Sequence, residues 1–97
     1  MHRRIFKYSL TSVDCLVEMP DRAIILSVEN QLDDNVVIYA IVRPDEPMVK
    51  RRFISFPTGE LLPDNVDKGN YIGTTHSTNN LWWHTFEVSS RYGGLVD

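Results

Sequence analysis

Residues Val13–Met19 read VDCLVEM, with Val13, Cys15, Val17 and Met19 falling on one side of an extended chain and Asp14 and Glu18 on the other. Side chains alternate across a strand and recur every 3.6 residues on a helix, so a period of two marks a half-buried β-strand. Upstream, Ile5 to Leu10 repeats the pattern, with Phe6, Tyr8 and Leu10 on one face and Lys7 and Ser9 on the other. The short Thr11-Ser12 link predicts a hairpin between these two strands.

Downstream, Pro20-Asp21 marks a turn. Ala23 to Glu29 predicts a third strand, and the polar turn 32–35 leads into Val36–Val42, VVIYAIV, apolar on both faces. Such a run fits a central strand covered on both sides, or one whose outer face meets another subunit. Pro44 and Pro47 interrupt the chain, since proline cannot donate to a ladder. Lys50–Phe56, Tyr71–Thr75 and Leu81–Ser89 complete seven segments, with a long polar loop over 60–70. The one helical feature to expect is a single turn near residues 46–52. The reading is all-β: about seven short, mostly antiparallel strands in a small sandwich or a partly open barrel. One β-rich domain spans residues 1–90, and the tail 91–97, with Gly93-Gly94, is expected to be mobile or docked on a partner.

With 97 residues, 42% hydrophobic and 24% charged, the chain is sized and composed for one globular domain. The net charge is −3, the wrong sign for a general polyanion binder. Cys15 is the only cysteine, so no internal disulfide forms, and a cytoplasmic location in a host bacterial cell is expected. No stretch approaches the ~20 apolar residues that cross a bilayer, so no membrane partner is expected.

Several segments carry a family resemblance: Arg4-Ile5-Phe6-Lys7-Tyr8, Ala23–Val28, Arg51-Arg52-Phe53, Tyr71-Ile72-Gly73-Thr74 and Leu81–Val88. In this order they resemble a family of short, uncharacterised proteins found in bacteriophage, prophage and bacterial genomes. The resemblance implies a β-rich single domain and a phage or prophage origin. Where that family carries a Gly-Thr-Gly-His-like turn, this chain reads Pro57-Thr58-Gly59-Glu60, so a histidine's role at that corner does not carry over.

No catalytic residues, metal ligands or cofactor site are expected. His84 shares a face with Trp82, Phe86 and Val88, and His76 sits in a hydroxyl-rich turn. Nucleophile activation needs a base oriented by a third group, and the sequence identifies none. The commoner role is a histidine held by hydrogen bonds. Two basic clusters stand out: Arg3, Arg4 and Lys7, and Lys50, Arg51 and Arg52. On neighbouring strands they would form one patch for phosphate or a partner; otherwise they face water and pair with Asp14, Glu18 or Glu87. Trp82 and Trp83 must point to opposite faces, and with Tyr39 they are candidate interface residues. These readings lead to a non-enzymatic phage accessory protein that binds a host or phage protein, including a host-defence inhibitor (anti-CRISPR-like). The alternatives are a sponge for a nucleotide or other phosphorylated ligand at a subunit interface, and a virion or assembly component. A homodimer and a nucleic-acid ligand are the other expected partners.

Overall fold

The computed structural model describes residues 2–64, 66–67 and 70–88; the tail expected at 91–97 lies outside them. Seven strands run in order: β1 (Arg4–Ser9), β2 (Asp14–Pro20), β3 (Ile24–Gln31), β4 (Asn35–Val42), β5 (Met48–Pro57), β6 (Tyr71–His76) and β7 (Trp82–Val88), with a 3-10 turn at Leu32–Asp34. They form a three-stranded sheet, β1-β4-β3, and a four-stranded sheet, β2-β5-β7-β6. Every pairing is antiparallel. This is the all-β fold anticipated, as two sheets rather than a closed barrel.

The two inward faces share one core. Cys15, Val17, Met19 and Phe53 from the four-stranded sheet meet Val28, Ile38, Ala40 and Val42 from the other. Alternation explains the choice: on β2 the odd positions are buried and Asp14, Leu16 and Glu18 are exposed. β4 takes the centre of its sheet, as its two-sided apolar run requires.

Two local expectations are corrected. β1 and β2 do not form a hairpin: β1 pairs with β4, and β2 with β5. The link between them crosses from one sheet to the other, its ends held by Leu10 N–H on Val36 O at 2.9 Å and Ser55 N–H on Val13 O at 2.8 Å. Thus Tyr8 and Leu10 face the core from one layer while Cys15 and Val17 face it from the other. Residues 48–52 are extended, and the turn lies upstream, where Glu46 N–H donates to Arg43 O.

The edges of β3 and β6 lie against each other, so close that a Cβ on Gly73 would sit 2.8 Å from Val28 Cγ1. Asp34 reinforces this closure by accepting from Thr78 N–H at 2.8 Å and Thr78 Oγ1–H at 2.5 Å. Asn30 Nδ2 donates to His76 O at 2.7 Å and to Asp34.

The outward faces differ. On the four-stranded sheet, Ile54, Phe56, Phe86 and Val88 form a second core with Val66. The segment after β5, read from sequence as a polar loop, thus roofs this face, with Phe56 and Tyr71 meeting Phe86 edge-on. On the three-stranded sheet, Ile5 and Ile24 project 63% and 53% exposed.

Candidate functional site

The register of the three-stranded sheet sets its outward residues in rows. Ile5, Ile41 and Ile24 share one row, Lys7, Tyr39 and Ser27 the next, and Ser9, Val37 and Glu29 the third. Tyr39 hydroxyl accepts from Gln31 Nε2 at 3.0 Å, and Lys7 Nζ donates to Gln31 Oε1 at 3.4 Å. These long side chains reach along the sheet past Val37, which accounts for its 1% exposure. Among the described residues the Ile5–Ile41–Ile24 row has no such cover. A bulge between Ile25 and Ser27 releases Leu26 from the ladder, leaving it 48% exposed beside the row.

Charge gathers at the same end. Arg3 precedes β1, Arg43 follows β4, and Arg22 precedes β3 by two residues, with Asp21, Asp45 and Glu46 in the same turns. All three arginines, with Arg4 on β1, are exposed and make no ion pair among the described residues. Isoleucines flanked by unpaired guanidinium groups suit a surface with an apolar centre and negative charge beside it, since Arg forms paired hydrogen bonds with carboxylates.

The two basic clusters read from sequence do not meet. Arg3, Arg4 and Lys7 belong to the three-stranded sheet, and Lys50, Arg51 and Arg52 to β5 of the other. Arg51 points inward and holds Glu87 through two bonds, of 2.6 and 2.7 Å, and Ala23 O at 2.5 Å. The hydrogen bonds it donates to Glu87 and the charge of that carboxylate raise its pKa further, against the effect of burial. Arg52, outward and 4% exposed, bonds Asp14 at 2.9 and 2.8 Å. That bond holds the Asp14 carboxyl below its ordinary range. Lys50 stays exposed opposite Glu18. Arg51 and Arg52 are structural.

The interface residues also part. Tyr39 lies on the outward face of the three-stranded sheet. Trp82 is 50% exposed on the outward side of β7, stacked on His76 with centroids 4.1 Å apart. Trp83 points inward and lines a cavity of about 290 Å³ with Asn30, Ser55 and Thr75.

His84 joins a chain of hydroxyls. Its Nε2 is 2.7 Å from Thr58 Oγ1 and its Nδ1 3.1 Å from Thr74 Oγ1, which is 2.5 Å from the Tyr71 hydroxyl. Both ring nitrogens thus meet neutral hydroxyls, and no carboxylate bonds the ring among the described residues. An imidazolium formed by taking the Thr58 proton would lack the anionic neighbour that stabilises it in hydrolytic triads. His76 Nε2 meets Asn80 Oδ1 at 3.0 Å. Among the described residues no three His, Cys, Asp or Glu converge as metal ligands.

A model of a domain of unknown function, DUF7352, matches residues 1–93. The chain belongs to this family. No curated protein and no solved structure matches the chain. Arg22 and Arg43 each stand alone in the sequence, and only the pairing of β1, β4 and β3 brings them to the end of the sheet where Arg3 lies. No helix among the described residues is long and apolar enough to cross a membrane.

Proposed function

We propose that this protein acts without catalysis, as a binding protein whose outward β1-β4-β3 face docks an acidic surface of another protein. The observation that carries this reading is the Ile5–Ile41–Ile24 row, which no described residue covers as Gln31 and Lys7 cover Val37, with Arg3, Arg22 and Arg43 at its end of the sheet. An apolar centre supplies affinity through area removed from water, and the arginines steer and orient a negative partner. On the opposite sheet Val66 covers Phe56, Phe86 and their neighbours while Leu16 and Trp82 stay exposed, whereas Ile5 and Ile24 stand 63% and 53% exposed on this face. The resemblance to phage and prophage proteins favours a host protein as partner, including a component of a defence complex.

The test is capture from host lysate with wild type, Ile5→Asp/Ile24→Asp and Arg22→Glu/Arg43→Glu in parallel. A stoichiometric partner retained by wild type and lost by both variants supports the reading. A partner held equally by all three, or none in any host, refutes it.

A further inference from the structure

We infer that the partner engages by adding a strand to the edge of β1 that no described strand pairs with, and that the strand it adds is an extended acidic segment. This rests on the partner-binding reading above and names how the same face is used.

The two sheets have four lateral edges, β1, β3, β2 and β6. Those of β3 and β6 pack against each other at Gly73 and Val28, and the start of β3, where a cleft separates it from Tyr71 and Ile72, is broken by the bulge between Ile25 and Ser27. β2 is defended: Asp14 and Glu18 stand on it and it ends in Pro20, and charges and proline are the usual means of blunting an edge. β1 carries no proline, and its two charges, Arg4 and Lys7, are both basic, so they blunt it against a basic strand or a second copy of itself and leave it open to an acidic one; five of its six residues are exposed.

The backbone phase of that edge follows from one bond. Leu10 N–H donates to Val36 O, and the register sets residues 4, 6 and 8 in step with it, opposite Val42, Ala40 and Ile38. In an antiparallel pair the residues that exchange bonds alternate with residues whose N–H and C=O point the other way. Ile5, Lys7 and Ser9 therefore direct their backbone groups to the open edge. An incoming strand would satisfy these groups and extend the sheet next to the isoleucine row, as in β-augmentation. Its side chains would lie beside Arg4 and Lys7, which stand on opposite faces of β1, with Arg3 at its start. Carboxylates on the added strand match that charge on both faces. A basic strand would meet like charge across the pair, which destabilises it.

The experiment uses the full chain as bait for a displayed library of random twelve-residue peptides, followed by titration of the recovered peptides. The expected selection is extended segments rich in Asp and Glu interleaved with apolar residues. Lys7→Pro removes an edge-facing N–H while leaving the β4 ladder intact, and should weaken binding at least tenfold. Lys7→Ala, which removes the charge and its bond to Gln31 but keeps the backbone N–H, should weaken it by less. Circular dichroism and melting confirm that both variants fold. Selection of neutral or basic peptides, or Lys7→Pro binding as Lys7→Ala does, overturns strand addition by an acidic segment. So does binding of a single-stranded oligonucleotide, or pairing of a second copy through β1. If a lysate partner is lost in Ile5→Asp/Ile24→Asp yet kept by Lys7→Pro, strand addition fails and the partner-binding reading stands. If both variants keep it, both fail.

Discussion

Gly73→Ala probes the contact that closes the sandwich between β3 and β6. The added methyl would stand 2.8 Å from Val28 Cγ1, closer than carbon atoms tolerate. Val28 is β-branched and buried in the shared core, so its rotamer is fixed and it yields only with backbone movement. Overpacking of this kind costs about 1–3 kcal/mol, while removing a glycine from the unfolded chain returns about 0.4–1 kcal/mol. The net expectation is a loss of about 1–2 kcal/mol. For 97 residues the unfolding entropy near the midpoint is about 0.2 kcal/mol/K, so Tm falls by about 5–10 °C. Urea denaturation of Gly73→Ala, Val28→Ala and the double variant forms a mutant cycle. The double variant should be more stable than the sum of the single losses by about 1 kcal/mol or more, because the smaller side chain accommodates the methyl. Gly59→Ala serves as the control. Its φ is +98° with open space around it, so its cost is backbone strain that Val28→Ala does not relieve. A Gly73→Ala protein as stable as wild type, or strict additivity in the cycle, would refute the close approach.

Three further outcomes follow from named contacts. Glu87→Ala strands the Arg51 guanidinium between the sheets, where its side chain is 21% exposed, and should cost about 2 kcal/mol in urea denaturation, with Arg51→Met/Glu87→Leu recovering most of it. The Asp14 carboxyl is held below its ordinary range by the hydrogen bond from Arg52, and that of Asp34 by those from Thr78. A lowered folded pKa means the stabilisation is present above the unfolded value of about 3.9 and is lost as pH falls through the folded value. Acid titration of stability should therefore steepen below pH ~4, and Asp14→Asn/Asp34→Asn should flatten it. Trp83→Phe leaves Trp82 as the only tryptophan, half exposed, and its emission should be red-shifted and readily quenched by acrylamide. Trp82→Phe should show shielded, bluer emission from Trp83, and equal quenching in the two proteins would contradict the assigned faces.

The strands were legible because their side chains alternate or run apolar between turn residues, as at Val13–Met19 and Val36–Val42. Which strands pair was not. The Thr11-Ser12 link looks local, but the long apolar β4 offers β1 a ladder, and no feature of residues 10–13 distinguishes a tight hairpin from a crossing between layers. The candidate site depends on that pairing. The Lys50-Arg51-Arg52 run drew attention as a cluster, yet consecutive strand residues face opposite ways. Arg51 turned inward to Glu87 and Arg52 lay beside Asp14, two of the carboxylates the sequence had offered as partners. Arg22 and Arg43 are isolated in sequence, and the register of three strands brings them to the same end of the sheet. The roof over the four-stranded sheet hung on Val66, a single buried valine in a polar segment, too weak a period to read.

Hydroxyl-radical footprinting, comparing the free protein with its purified assembly, addresses the binding face most directly. Protection should concentrate on Ile5, Ile24, Leu26 and Ile41, while Leu16, Met48 and Trp82, exposed on the other sheet, stay reactive. Protection centred on Leu16, Met48 or Trp82, with the isoleucine row as reactive as in the free protein, would place recognition on the opposite sheet.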